Sequence, residues 1–252
     1  MAHFYLDESL QPDACAPGAL VSIGGSEAKH AVTVSRVRPG ESLLLGNGHG
    51  LIVSGTVVTA EPGELTLRVD EATLHAAATP RIRLVQALAK GDRDEMAIQA
   101  ATELGVDGVI PWIAARSISR WEGAKIAKGR ERWATIVREA SKQSIRPWLP
   151  VVEDLTTTKQ LVKLAGETRM LLLDPTASAR LTQFDATAAG TQGEAERDIV
   201  LVVGPEGGIA PSELAQLEAA GATQVRLGDT VLRTSTAGPA ALAILNATLN
   251  RW

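Results

Sequence analysis

The chain has 252 residues, 45% of them hydrophobic and 21% charged, and its 25 Lys and Arg against 29 Asp and Glu give a formal charge of −4. That composition suits one large or two modest globular domains and excludes disordered and collagen-like chains. No apolar run reaches the roughly 18 to 20 residues that span a bilayer, the N-terminal stretch MAHFYLDESLQPDA lacks the basic and apolar regions of a secretory signal, and the single Cys15 can close no intrachain disulfide, so a cytoplasmic protein with no membrane partner is expected.

From residue 1 to about 72 the apolar pieces are short: HFYL, VSI, SLLLGNGHGLIVSGTVV and ELTLRV, alternating with period two and punctuated by Gly, Asn and Pro. This predicts a small β-domain, with GNGHG as a hairpin-type turn and SEAKHAVTVS, opening at Ser26, as its one helical stretch. HAAATP at 75–80 reads as a linker, which divides the chain into domains over 1–74 and 75–252. Strands and helices then alternate: RIRLVQALA, a helix over 92–105 ended by Gly105, GVIPWIAA, helices over 123–144 and 157–165, RMLLLD, DIVLVVG, the helix PSELAQLEAAG, QVRLG and a closing helix over 235–250. Such alternation predicts an α/β domain on a mostly parallel sheet.

Charge is uneven along the chain: residues 1–75 are net −5, 76–150 net +5 and 151–252 net −4. Within the middle block, 116–146 holds nine basic and three acidic residues. That pattern is either a solvated helix face or an electrostatic footprint for phosphates, with Trp121 and Trp133 interleaved.

Several chemistries lack their signatures. No GxxxxGK[ST] or GxGxxG occurs, so the usual triphosphate and dinucleotide loops are absent. The four histidines, His3, His30, His49 and His75, all fall in the β-domain and never at i, i+4, and with one cysteine no metal site is expected. A GxSxG nucleophile elbow is also missing. What remains clusters at strand ends: LLLDP at 171–175, VLVVGPEGGIAPSE at 200–213 and VRLGDTVLRTSTA at 225–237. Ligands of open α/β sheets sit at the carboxyl ends of strands, so three such loops define one crevice, and their glycines let backbone approach a ligand.

VGPEGG and LGDTVLRTSTA, preceded by QALAKGDRDEMAIQAATELGV, PWIAARS and EASKQSIRPWLP, closely resemble the ribosomal RNA small subunit methyltransferase E family. These are S-adenosylmethionine-dependent enzymes of the SPOUT superfamily that methylate N3 of a uridine in 16S rRNA. The likeness covers nearly the whole chain, and RVRPGE at 36–41 is similar to that family's N-terminal motif.

The resemblance implies a small PUA-like β-barrel domain that binds RNA, ahead of a SPOUT-type α/β domain whose mostly parallel sheet ends in a C-terminal trefoil knot, a rare exception to ordinary connectivity. It implies that Leu173, Gly204, Gly207, Gly208, Leu227, Gly228 and Leu232 hold S-adenosylmethionine, chiefly by backbone groups and apolar packing. Arg36, Arg38, Lys90, Arg93, Arg120, Lys125, Lys128, Arg130 and Arg132 are the candidate phosphate contacts to 16S rRNA in the small ribosomal subunit. A homodimer is implied as well, with the last helix (Ala241, Ile244, Leu245, Leu249) as the candidate interface.

Methylating an imide nitrogen requires its proton to leave and the resulting negative charge to be stabilised. Arg233 and Arg116 are the candidates for charge stabilisation, and Glu206 is either a base or a holder of its own loop through backbone N–H groups. Two positions depart from the family pattern. Ser235 stands where many members carry a glutamate, which removes any base there, and Ala210 stands at the N-cap before Pro211, without a capping oxygen. Two other functions compete: a SPOUT enzyme acting on tRNA, 23S rRNA or a 2′-hydroxyl, and a noncatalytic RNA-binding assembly factor.

Overall fold

A computed structural model describes residues 3–185 and 197–252. Two compact units emerge: residues 1–77 with 141–149, and 78–140 with 150–252. The stretch 141–149, which the sequence division places in the second domain, thus packs with the first.

The first unit is a five-stranded sheet in the order β1-β3-β4-β5-β2, formed by β1 (Phe4–Leu6), β2 (Leu20–Gly24), β3 (Ser42–Gly46), β4 (Leu51–Glu61) and β5 (Glu64–Leu74). β1 runs parallel to β3, and the other neighbours are antiparallel. Along β2 and β4 burial alternates residue by residue, so one face carries the core and the other meets solvent. The helical stretch is split: α1 (Gly25–Lys29) runs into a single π-type turn over His30–Val34. A partly buried ion pair between Glu27 and Lys142, 3.3 Å, ties the 141–149 stretch to α1.

The second unit carries a seven-stranded, wholly parallel sheet: β6 (Ile82–Ala87), β7 (Gly108–Ile113), β8 (Val151–Val152), β9 (Thr156–Thr157), β10 (Arg169–Leu173), β11 (Ile199–Val203) and β12 (Thr223–Val225). The order is β12-β10-β11-β6-β7-β8, with β9 beside β7. Around it lie α2 (Arg93–Glu103), α3 (Ala124–Gln143), α4 (Thr158–Glu167), α5 (Pro211–Ala219) and α6 (Thr234–Thr248). All five residues of β11, IVLVV, are buried, as expected of a central strand covered by helices on both faces. Gly105, at φ +96, ends the α2 region as the sequence suggests.

Two expectations require correction. Trp133 is 1% exposed and packs edge-on against Trp121 at 5.3 Å, because Trp133, Val137 and Ala140 form the buried stripe of α3 beneath its charged face. It cannot stack on a base. Gly129 makes room for that pairing, since a Cβ there would lie 2.4 Å from the Trp121 ring. On α6, Ala241 and Leu245 are fully buried within the subunit, where the helix packs on α2, β6 and β11, so these two cannot meet a partner, whereas Ile244 and Leu249 of the same expected interface stay partly accessible. No helix among the described residues is long and apolar enough to cross a membrane.

Candidate active site

The carboxyl ends of β10, β11 and β12 open onto a cleft of about 580 Å³ in the second unit. Its wall comprises Leu173–Pro175 after β10, Gly204–Ile209 after β11 and residues of the 226–233 loop after β12, together with Thr234 and Ala237 of α6 and Arg93 of α2. All seven residues expected at a donor site, Leu173, Gly204, Gly207, Gly208, Leu227, Gly228 and Leu232, line it. The wall includes the aliphatic Leu173, Val225, Leu227, Val231 and Leu232 and the glycine backbone of Gly204, Gly207 and Gly208.

Local sequence explains the tight glycine loop. A Cβ on Gly204 would sit 2.8 Å from Ile209 Cγ1, 2.9 Å from the Ile209 nitrogen and 3.1 Å from the Gly208 carbonyl carbon. Gly208 adopts φ +71, and its N–H donates to the Pro205 carbonyl at 2.8 Å. The loop is tied to α6 and β6 as well. Thr234 Oγ1 donates to the Gly204 carbonyl at 2.8 Å and accepts from Gln86 Nε2 at 2.9 Å, deep in the core.

Charged groups at the loop are largely committed. Glu206 Oε1 accepts from the Lys90 N–H at 3.0 Å and from Arg93 Nη1 at 2.8 Å. Burial alone would raise its carboxyl, but hydrogen bonds from its own backbone, Lys90 and Arg93 hold it below the usual carboxylate range. It is therefore an ionised clamp at neutral pH, a poor proton acceptor. Arg116 Nη1 donates to the Gly207 carbonyl at 2.8 Å from outside the cleft wall. Arg233 differs: it is exposed, lines the cleft as the N-cap of α6, and has no ion-pair partner among the described residues.

The sequence reading passed over Glu213. It is 4% exposed; Oε1 accepts from the Ala115 N–H at 2.9 Å and Thr158 Oγ1 at 2.7 Å, while Oε2 accepts from the Ala210 N–H at 3.2 Å. One carboxylate thus joins the start of α5, the start of α4 and the segment carrying Arg116. Its place three residues after the N-cap is the acidic half of a capping box, a signal present in APSE. Glu213→Ala should strand these donors and lower unfolding free energy by about 2 to 3 kcal/mol, read from urea titrations. A loss below about 0.5 kcal/mol, the size of an ordinary surface effect, would refute this role.

The basic candidates separate into two groups. Arg93 pairs with Glu206, Arg132 with Glu95 at 2.9 Å, and Arg130 with Asp154 at 3.4 Å. Arg120, Lys125 and Lys128 of the second unit lie exposed, as does Lys90, and so do Arg36 and Arg38 of the first unit. Among the described residues no cluster of His, Cys, Asp and Glu could hold a metal ion.

Comparison with known proteins gives concordant matches. The family model of an RNA methyltransferase domain matches residues 77–246, and that of an RNA methyltransferase PUA domain matches 23–70. A ribosomal RNA small subunit methyltransferase E from Mycobacterium bovis is 42% identical across 99% of this chain and 92% of its own length. A Bacillus subtilis protein of the same name is 30% identical, with 89% of each chain covered. The crystal structure of a Neisseria gonorrhoeae ribosomal RNA small subunit methyltransferase E bound to S-adenosylmethionine superposes with a TM-score of 0.83 at 28% identity, covering 98% of both chains.

Proposed function

Since the chain belongs to the RNA methyltransferase family, among the ribosomal RNA small subunit methyltransferases E, we propose that it methylates N3 of a uridine in 16S rRNA. It is an S-adenosylmethionine-dependent rRNA methyltransferase. When bound, the donor supplies an electrophilic methyl group on a sulfonium.

The cleft suits that donor. Its aliphatic residues Leu173, Leu227 and Leu232 can take an adenine, and the glycine backbone of the same cleft offers carbonyls and N–H groups without side-chain obstruction. Arg93, which stands on the cleft wall, is neutralised by Glu206, which spares a sulfonium one bare positive neighbour.

The observation that carries the choice of acceptor atom is the state of Arg233. A 2′-hydroxyl needs a general base, yet the second unit contains no histidine, and of the two carboxylates on the cleft wall Glu206 is held ionised by its donors while Asp174 sits beside Leu173, tied to Thr176. An imide N–H between two carbonyls is far more acidic than an alcohol, so what it needs is a cation beside the developing anion. Arg233 provides that charge at the N-terminus of α6, where the helix dipole adds to it. We assign Arg116 and Glu206 to holding the glycine loop. The proposed knot accords with the path of the chain, which leaves β12 at one edge of the sheet and returns to pack α6 on β6 and β11. A homodimer, which belongs to this reading, would use the outer side of α6, where Ala240, Ala243 and Ala247 are at least partly accessible.

Mass-spectrometric mapping of small-subunit particles after reaction should find one 3-methyluridine in 16S rRNA. A methyl on a ribose hydroxyl, on tRNA or on 23S rRNA would overturn the assignment. For RNA docking we select Arg120, Lys125 and Lys128. Replacing all three by glutamine should weaken RNA binding and flatten its salt dependence, each true duplex-phosphate contact contributing about 0.9 to the slope, with donor affinity unchanged. An unaltered slope would leave them as ordinary surface charges.

A further inference from the structure

Two carboxylates stand on the cleft wall, Asp174 and Glu206. Glu206 is spent on Lys90 and Arg93. Asp174 is spent by half: Oδ1 accepts from the Thr176 N–H at 2.7 Å and from Thr176 Oγ1, whereas Oδ2 has no partner among the described residues. The backbone is fixed, because the Asp174 N–H donates to the Val225 carbonyl of β12 at 3.0 Å. The turn to Thr176 therefore holds one oxygen and leaves the other unengaged on a half-buried residue that lines the cleft.

The neighbours of that oxygen narrow what it can accept from. Asp174 directly follows Leu173 and is bonded to Val225, so it belongs to the aliphatic wall. An adenine seated on this wall brings its own ribose next, one bond away, while the charged amino-acid end of the donor lies further along. We propose that Asp174 Oδ2 accepts hydrogen bonds from the ribose hydroxyls of the methyl donor, making Asp174 a donor-binding residue. The inference rests on the cleft's being the S-adenosylmethionine site. A lone carboxylate at a strand end meeting a ribose diol is the arrangement by which other α/β sheets select a nucleoside, and hydrogen bonds to an ionised oxygen are the strong kind.

Calorimetry with wild type, Asp174→Ala and Thr176→Val tests it, using S-adenosylmethionine, 5′-methylthioadenosine and 2′,3′-dideoxy-5′-methylthioadenosine as ligands. Asp174→Ala should weaken the first two by a similar factor, about 10- to 100-fold, and leave the dideoxy compound's affinity unchanged. Thr176→Val, which disturbs the turn but keeps the carboxylate, should lose less than Asp174→Ala. Loss confined to S-adenosylmethionine would place the carboxylate at the ammonium group instead and overturn the proposal. Equal loss for all three ligands, equal loss in Thr176→Val, or no loss at all would also overturn it. Failure of the wild type to bind S-adenosylmethionine would instead sink the cleft assignment, so the two failures are distinguishable.

Discussion

Arg233→Ala is expected to bind S-adenosylmethionine within a few-fold of wild type and to transfer methyl about 100- to 1000-fold more slowly, the usual cost of deleting one preorganised group that stabilises charge at the transition state. Among the charged side chains on the cleft wall, Arg93 is neutralised by Glu206 and Arg226 lies 3.5 Å from Asp229, whereas Arg233 has no such partner among the described residues. A guanidinium is a cation that does not serve as a proton acceptor. It can therefore lower the free energy of the uracil anion without taking the proton, which passes to solvent water before N3 bonds the methyl and the sulfonium–methyl bond breaks. This gives the variant a signature. Raising the pH should recover part of the lost rate, because the imide then ionises unaided, while the wild type should gain less. Single-turnover methylation of small-subunit particles across pH makes the comparison. A mutant within tenfold of wild type at neutral pH would make Arg233 a structural cap and bring Arg116 forward.

Gly204→Ala is expected to abolish measurable donor binding while leaving the protein folded. The added methyl would collide with the Ile209 nitrogen at 2.9 Å and the Gly208 carbon at 3.1 Å, both backbone atoms. Neither can rotate away as a flexible side chain would. The loop must open, and with it the Thr234 hydrogen bond to the Gly204 carbonyl. By contrast, a Cβ on Gly207 would come no nearer than 3.4 Å to Arg116, its backbone oxygen lying at 3.9 Å, so Gly207→Ala should bind much closer to wild type. Calorimetry on both variants, with circular dichroism to confirm folding, decides the matter. Wild-type affinity in folded Gly204→Ala would detach this loop from the donor site.

Much of the architecture was legible because it depends on local pattern. The unbroken apolar run IVLVV announces a buried parallel strand, Gly105 stops its helical region, and three turn-rich loops after strands converge as the crevice rule requires. What escaped reading depends on partners distant in sequence. On α6, fifteen residues carry no charge, so periodicity cannot say which side is interior. Packing chose Gly238, Ala241, Leu242, Leu245 and Asn246. Trp133 looked like a base-stacking residue in a basic stretch, yet its spacing with Val137 and Ala140 is that of a core stripe. Glu213 gains its role from Ala115 and Thr158, which come 98 and 55 residues before it. In the opposite direction, four of the basic side chains that read alike in the sequence now differ, since Arg130 and Arg132 have carboxylate partners while Lys125 and Lys128 lie exposed.

The contact between Gln86 and Thr234 spans 148 residues of chain, and Gly238 of the same helix rests on Leu84 and Val203 from the centre of the sheet. Because synthesis runs from the N-terminus, β6 is made long before the helix that covers it. Until α6 is available, Leu84 and Val203 lack their cover and the Gly204 carbonyl lacks its donor. Such late, non-local closure makes folding slow and leaves apolar surface open to wrong partners in the interval. The methyl-donor cleft is thus the last part of the molecule to exist, and a chain cut short before residue 234 has every strand of its sheet but no finished site. Binding of the methyl donor in this protein therefore reports that α6 has docked on its sheet.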